Sequence, residues 1–137
     1  MEVAELHRDD AASATALWTE SGLTRPWNDP FADFERALQG ATSAVLGLKH
    51  NNVLIGTVMV GNDGHRGWMY YLAVDKAHQR SGIATQLVRA AEEWLLERGA
   101  VKVQLMVRND NESAMNFYDH IDYKKNDVTV LSRRLVP

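Results

Sequence analysis

Apolar and polar positions change period along this chain, and each change marks an element. Residues 2–7 read as a strand. Asp9 or Asp10 then caps a helix with Ala14, Leu17 and Trp18 on one face, which ends near Gly22. The loop Leu23-Thr24-Arg25-Pro26-Trp27-Asn28-Asp29-Pro30 leads into a second helix, started by Asp29-Pro30 and stopped by Gly40, with Phe31, Phe34 and Leu38 sharing a face. Two apolar, β-rich runs, 43–50 and 53–60, are joined by Asn51-Asn52, a hairpin signal because Asn tolerates positive φ. A polar loop, 61–67, precedes a strand over 68–74. From Gly82 a 3.6-residue period places Ile83, Leu87, Ala91, Trp94 and Leu95 on one stripe, up to Gly99. Residues 101–107 alternate as a strand. Asn111 to His120 form a short helix with Ala114, Phe117, Tyr118 and Ile121 on one side, and a final hairpin is expected over 123–126 and 128–135.

The order β-α-α-β-β-β-α-β-α-β-β predicts one α/β domain over 1–137, a mixed central sheet with helices on both faces. The unit from 68 to 107 should be a right-handed crossover between parallel strands.

Composition narrows the function more than the fold. With 137 residues there is room for one core. The net charge of -3 and the absence of a Lys/Arg run argue against nucleic acid as the main partner. No apolar stretch is long enough to span a bilayer, and the acidic start, Met1 to Leu6, does not read as a signal peptide, so no membrane partner and a cytoplasmic location are expected. The chain has no cysteine, which excludes disulfides and a thiol nucleophile. The five histidines are scattered, and no metal site is expected.

The stretch from Leu72 to Thr85 carries the chemistry. A buried strand, Leu72-Ala73-Val74, breaks at Asp75, crosses a polar turn and re-enters structure at Gly82 ahead of a long helix. The first amides of a helix lack partners within it, and its dipole adds positive potential there. Gly82 removes a Cβ from the approach to the backbone, and Arg80 adds a cation suited to phosphate. The bland alternative is an ordinary strand-to-helix connection.

Gln79-x-x-Gly82-x-Ala84 after a Leu-x-Val strand resembles the pyrophosphate loop of the GNAT superfamily of N-acetyltransferases. A second segment, Leu105-x-Val107-x-x-Asp110-Asn111-x-x-Ala114-x-x-x-Tyr118, resembles that superfamily's C-terminal motif, and the order of elements is similar to its fold. The loops 25–30 and 63–67 look like those of the bacterial YpeA-type acetyltransferases. Asp122-Tyr123 stands where the family usually has Gly and an aromatic; Asp tolerates left-handed backbone, so the turn should survive. The resemblance implies acetyl-CoA as co-substrate, without a metal, and direct transfer of its acetyl group to a primary amine in a ternary complex. It implies cofactor contacts from Leu72, Ala73, Val74, Gln79, Arg80, Ser81, Gly82, Ile83, Ala84, Thr85 and Asn111, with Tyr118 as the proton donor to the departing thiolate.

Several alternatives stay open at the level of sequence. Tyr118 is either that acid or a packed helix aromatic. Asp63 and His65 are the nearest titratable candidates for a base, and both equally suit a plain turn; a water chain could serve instead. The acceptor should lie between the 23–30 loop and residues 68–71, where Trp27 is either a wall of its pocket or a core plug. The acceptor is a small-molecule amine or, since Val107-Arg108-x-x-Asn111 also resembles the ribosomal-protein acetylating branch, a peptide N-terminus. A non-catalytic acyl-CoA sensor and a homodimer are further options.

Overall fold

The computed structural model describes residues 2–137, in two compact units, the first ending at Met106 and the second spanning Val107–Pro137. The first holds a five-stranded sheet in the order β1-β2-β3-β4-β5, from β1 (Val3–Glu5), β2 (Ser43–His50), β3 (Val53–Asn62), β4 (Gly67–Val74) and β5 (Val103–Gln104). β1 to β4 pair antiparallel and β4–β5 parallel, as the strand–helix–strand reading requires. The helices are α1 (Ala11–Glu20), α2 (Pro30–Gln39) and α3 (Ile83–Glu97) in this unit, and α4 (Glu112–His120) in the second.

α1 and α3 cover opposite faces of the sheet. Gly56 and Thr57 are neighbours on β3, so they point to opposite sides. A Cβ on Gly56 would lie 2.8 Å from Leu87 of α3, so that glycine is what lets the helix seat against the strand. Thr57 meets Trp18 of α1. The stripe Ile83, Leu87, Ala91, Trp94 and Leu95 is buried as its period predicts. On the other face Leu6, Ala14, Leu17, Trp18, Phe34, Ala37, Val45 and Ala73 form one apolar cluster. The Asn51-Asn52 turn has φ of 51° and 63°, the left-handed pair of a tight hairpin.

Several expectations need correction. Asp10 holds the N-cap position of α1, but its side chain does not cap the helix: the carboxylate accepts the His7 amide (2.9 Å) around a 3-10 turn at Arg8–Asp10, and it pairs with Lys49 at 2.8 Å. Phe31 leaves the buried face of α2 and is 55% exposed; Ala37 takes its place beside Phe34. The alternating run 101–107 pairs only at Val103 and Gln104, because a ladder needs a partner and β4 offers one only at Gly67 and Trp68. The hairpin expected over 123–126 and 128–135 does not form. Residues 123–137 carry no strand, and Val128, Val130, Leu131, Leu135 and Val136 are exposed. β-rich letters state a preference that pairing must realise, and a two-stranded ribbon alone is marginal in water.

In the second unit, Asn111 caps α4 by accepting the Ala114 amide at 3.1 Å. Asp122 has φ 74°, so the left-handed turn survives without glycine. The Tyr118 ring meets Phe117 and Tyr123 edge-on, with centroids 5.0 and 5.5 Å away.

Candidate functional site

Two features of the first unit meet at the C-terminal end of β4. One is the edge of the strand. Thr57 pairs with Ala73 and Met59 with Tyr70, so Val58 alone on β3 faces both Tyr71 and Leu72 on β4. This is a bulge, and Tyr71 takes φ 53° within it. β5 pairs with Gly67 and Trp68 and no further, so from Met69 to Val74 β4 has no strand partner on that side among the described residues. Backbone donors and acceptors along such an edge can receive an extended, amide-bearing ligand.

The other feature is the loop that follows. A 3-10 turn, Lys76–His78, is braced by the contact between His78 Nδ1 and Asp75 Oδ2 at 3.0 Å. The Gln79 amide group donates to the Val74 carbonyl at 3.2 Å, and the Ser81 hydroxyl donates to the His78 carbonyl. Arg80 and Gly82 both adopt left-handed backbone, φ 64° and 83°. The first helical hydrogen bond of α3 runs from the Gln86 amide to the Gly82 carbonyl at 3.0 Å. The amides of Arg80, Ser81, Gly82, Ile83, Ala84 and Thr85 therefore have no backbone partner among the described residues. Nothing of the protein lies within 4 Å of where a Gly82 Cβ would be, so the positive φ, and the open approach to the amides, call for glycine there. This run of donors without backbone partners at a helix N-terminus, with Arg80 in the same loop, suits a phosphate or pyrophosphate.

Ten of the sequence-predicted cofactor residues, Leu72 to Val74 and Gln79 to Thr85, are thus contiguous along one strand end and loop. Ala73 and Ile83 are buried and offer backbone only. Asn111 and Tyr118 belong to the second unit. The Asn111 side-chain oxygen is committed to its cap. Burial pushes the Tyr118 hydroxyl up to about 12, further from ionisation at neutral pH than its ordinary value already leaves it.

Asp63 is spent on its turn. Its carboxylate accepts the amides of Arg66 (2.7 Å) and His65 (2.8 Å) and the Trp68 indole N–H (3.3 Å). The bonds from Arg66 and His65 hold it below the usual carboxylate range, which makes it a weak base. His65 is exposed on the same turn. Trp27 is 57% exposed and is not a core plug. Asp29 caps α2 through the Ala32 amide (3.2 Å), and Arg25 donates to the carbonyls of Gly22 (2.8 Å) and Thr24 (2.9 Å), so both charges shape the loop. Among the described residues no group of three or more His, Asp or Glu could hold a metal ion, and no helix is long and apolar enough to cross a membrane.

Sequence reasoning passed over Asp33, Thr57 and the role of Tyr71. Thr57 had a readable signal, a hydroxyl inside the apolar run 53–60. Asp33 had none, because its partner Tyr71 lies 38 residues away in sequence.

Residues 3–123 match the acetyltransferase (GNAT) family. An acetyltransferase of Yersinia pestis (strain Pestoides F) is 38% identical over 99% of this chain and 96% of its own. Among solved structures, the chain superposes on aminoglycoside acetyltransferase AAC(6')-Iy, in complex with a CoA-based bisubstrate analogue, with TM-score 0.83, 14% identity and 98% coverage of both chains. It superposes on the ribosomal-protein-alanine N-acetyltransferase of Brucella melitensis biovar Abortus 2308 with TM-score 0.78, 24% identity and coverage of 97% of this chain and 98% of that one. At those identities the two structures speak for the fold. The family match and the close relative speak for the activity: the chain belongs to the GNAT family and is an acyl-CoA-dependent acetyltransferase.

Proposed function

We propose that this enzyme moves the acetyl group of acetyl-CoA directly to a primary amine of a small molecule, within a ternary complex. The observation that carries the reading is the run of unpartnered amides from Arg80 to Thr85 at the start of α3, which fits the pyrophosphate of the co-substrate. Leu72, Ala73 and Val74 would line the rest of the cofactor along the open strand edge; for Asn111 the support is the resemblance of the 105–118 segment to the family's C-terminal motif. The co-substrate supplies an activated acyl group: the amine nitrogen bonds to the thioester carbon, the C–S bond breaks, and the thiolate leaves.

The protein's part is to hold and polarise. A backbone N–H of residues 72–74 stabilises charge on the acyl oxygen as it develops. By the resemblance of the 105–118 segment to the family's C-terminal motif, Tyr118, a neutral phenol at physiological pH, is the proton donor to the departing sulfur. The amine's proton passes to water, since Asp63 is tied into its turn and aromatic residues line β4 at Trp68, Tyr70 and Tyr71. The exposed ring of Trp27 supports an acceptor with an apolar body.

CoA release, screened over a library of amines and peptides, tests the reading. Turnover with one or more amines, and loss of calorimetric acetyl-CoA binding in Gly82→Glu, is the expected result. Equal affinities in wild type and variant would remove the site; turnover confined to peptides would transfer the acceptor to the protein N-terminal class.

A further inference from the structure

We infer that Trp18, Thr57 and Asp33 are positioning residues that lock the β4 bulge at Tyr71, and through it the amides offered to the acyl oxygen. The inference rests on the acetyl-transfer reading above and deepens it. Tyr71 is a bulky residue in left-handed backbone in the middle of a strand, with φ 53°. Such a conformation persists only where its surroundings over-determine it. Here they do so from three directions. The Thr57 hydroxyl donates to the Tyr71 carbonyl at 2.9 Å and is itself held by the Trp18 indole N–H at 2.8 Å. The Tyr71 ring stacks on Trp18 with centroids 3.9 Å apart and planes 10° from parallel. The Tyr71 hydroxyl donates to Asp33 Oδ2 at 2.7 Å, and Arg36 holds the other oxygen of that carboxylate.

The chain of contacts is closed. Trp18 and Thr57 are fully buried, and the threonine oxygen has both a donor and an acceptor partner. Buried polar chains of this kind fix one geometry, because any other leaves a group unsatisfied. A bulge re-aims the backbone groups around it, and this one lies where β4 has an open edge. Donors that must meet a developing oxyanion work through pre-set direction, so loosening them acts on the transition state and leaves ground-state binding nearly intact. Asp33 adds a second link. It lies in the first turn of α2, directly after the 23–30 loop, so the bulge is tied to the helix that follows the candidate acceptor loop.

Thr57→Val keeps the shape and removes the hydroxyl; Thr57→Ser restores it. With a working amine, Thr57→Val should lower kcat about tenfold or more while acetyl-CoA affinity stays within about twofold, and Thr57→Ser should recover most of the rate. Tyr71→Phe, which keeps the stack and loses only the bond to Asp33, should lower kcat severalfold with the same unchanged affinity, and serves if the valine variant does not fold. Amide hydrogen exchange on the free protein separates this inference from the reading beneath it. In either variant exchange should quicken at residues 70–74 and not along β2. Unchanged exchange at 70–74, or acceleration spread evenly over the sheet, would overturn the positioning role whatever the enzyme acetylates. Local acceleration together with an unchanged kcat would also overturn it. Absence of CoA release from wild type with every amine, beside local acceleration, would instead count against the acetyl-transfer reading.

Discussion

Tyr118 shows how much a single environment can decide. Its hydroxyl has an ordinary value of 10.0 and is pushed up to about 12 by burial alone. A phenol held that firmly neutral is a poor base and remains a usable proton donor across the physiological range. Tyr118→Phe keeps the ring, with its edge-on contacts to Phe117 and Tyr123, and removes only the proton. Turnover should fall about 10²–10⁴-fold while calorimetric affinity for acetyl-CoA hardly moves. Parallel loss of both would assign Tyr118 to packing. At this scale the sequence was an uneven guide. Gly82 was legible because a helix start after a strand has few uses for glycine, and its positive φ agrees. Asp63 was ambiguous, since Asp-Gly serves a turn and a base equally well on paper, and only the two amides on its carboxylate decide for the turn. The Tyr71–Asp33 bond was invisible, because no local pattern reports a contact between a strand and a distant helix.

Among the elements, those whose partner is implied by their own period were the readable ones. The stripe of α3 and the Asn51-Asn52 hairpin needed only local arithmetic. β5 and the expected final hairpin depended on main-chain partners elsewhere, and there alternation overstated what pairs. The 23–30 loop lies between these cases. Its prolines and the Asp29 cap were legible, whereas the exposure of Trp27 was not. Because that indole is not in the core, Trp27→Ala should leave the melting temperature within a few degrees and raise the acceptor's KM or change the range of amines used. Acetyl-CoA affinity should be nearly constant. A large drop in melting temperature with the same acceptor profile would make the loop a packing element.

For the molecule as a whole, three phenols, two of them partly buried and Tyr70 more exposed, shape its response to alkali. Burial first, and then the nearby carboxylate, raises Tyr71 (beside Asp33) and Tyr70 (beside Asp63); burial alone raises Tyr118. Each ionises more readily unfolded than folded. The stabilisation is fully present below the unfolded value of 10.0, and it is lost as the pH climbs toward about 12. Tyr118 alone should contribute on the order of 2 kcal/mol to that loss. Chemical denaturation between pH 8 and 11.5 should show a flat stability that falls only above about 10, and Tyr118→Phe should blunt the fall. A decline that begins near pH 8 would contradict it.

Trp18 and Tyr71 lie face to face, 3.9 Å apart and 10° from parallel. Two chromophores fixed so closely in one handed arrangement form an optically active pair, and near-ultraviolet circular dichroism responds to such fixed side-chain packing. One member belongs to the bulge itself. Its geometry therefore has a spectroscopic signature in the free protein, readable as a band that fades when the strand straightens, before any acceptor amine has been identified.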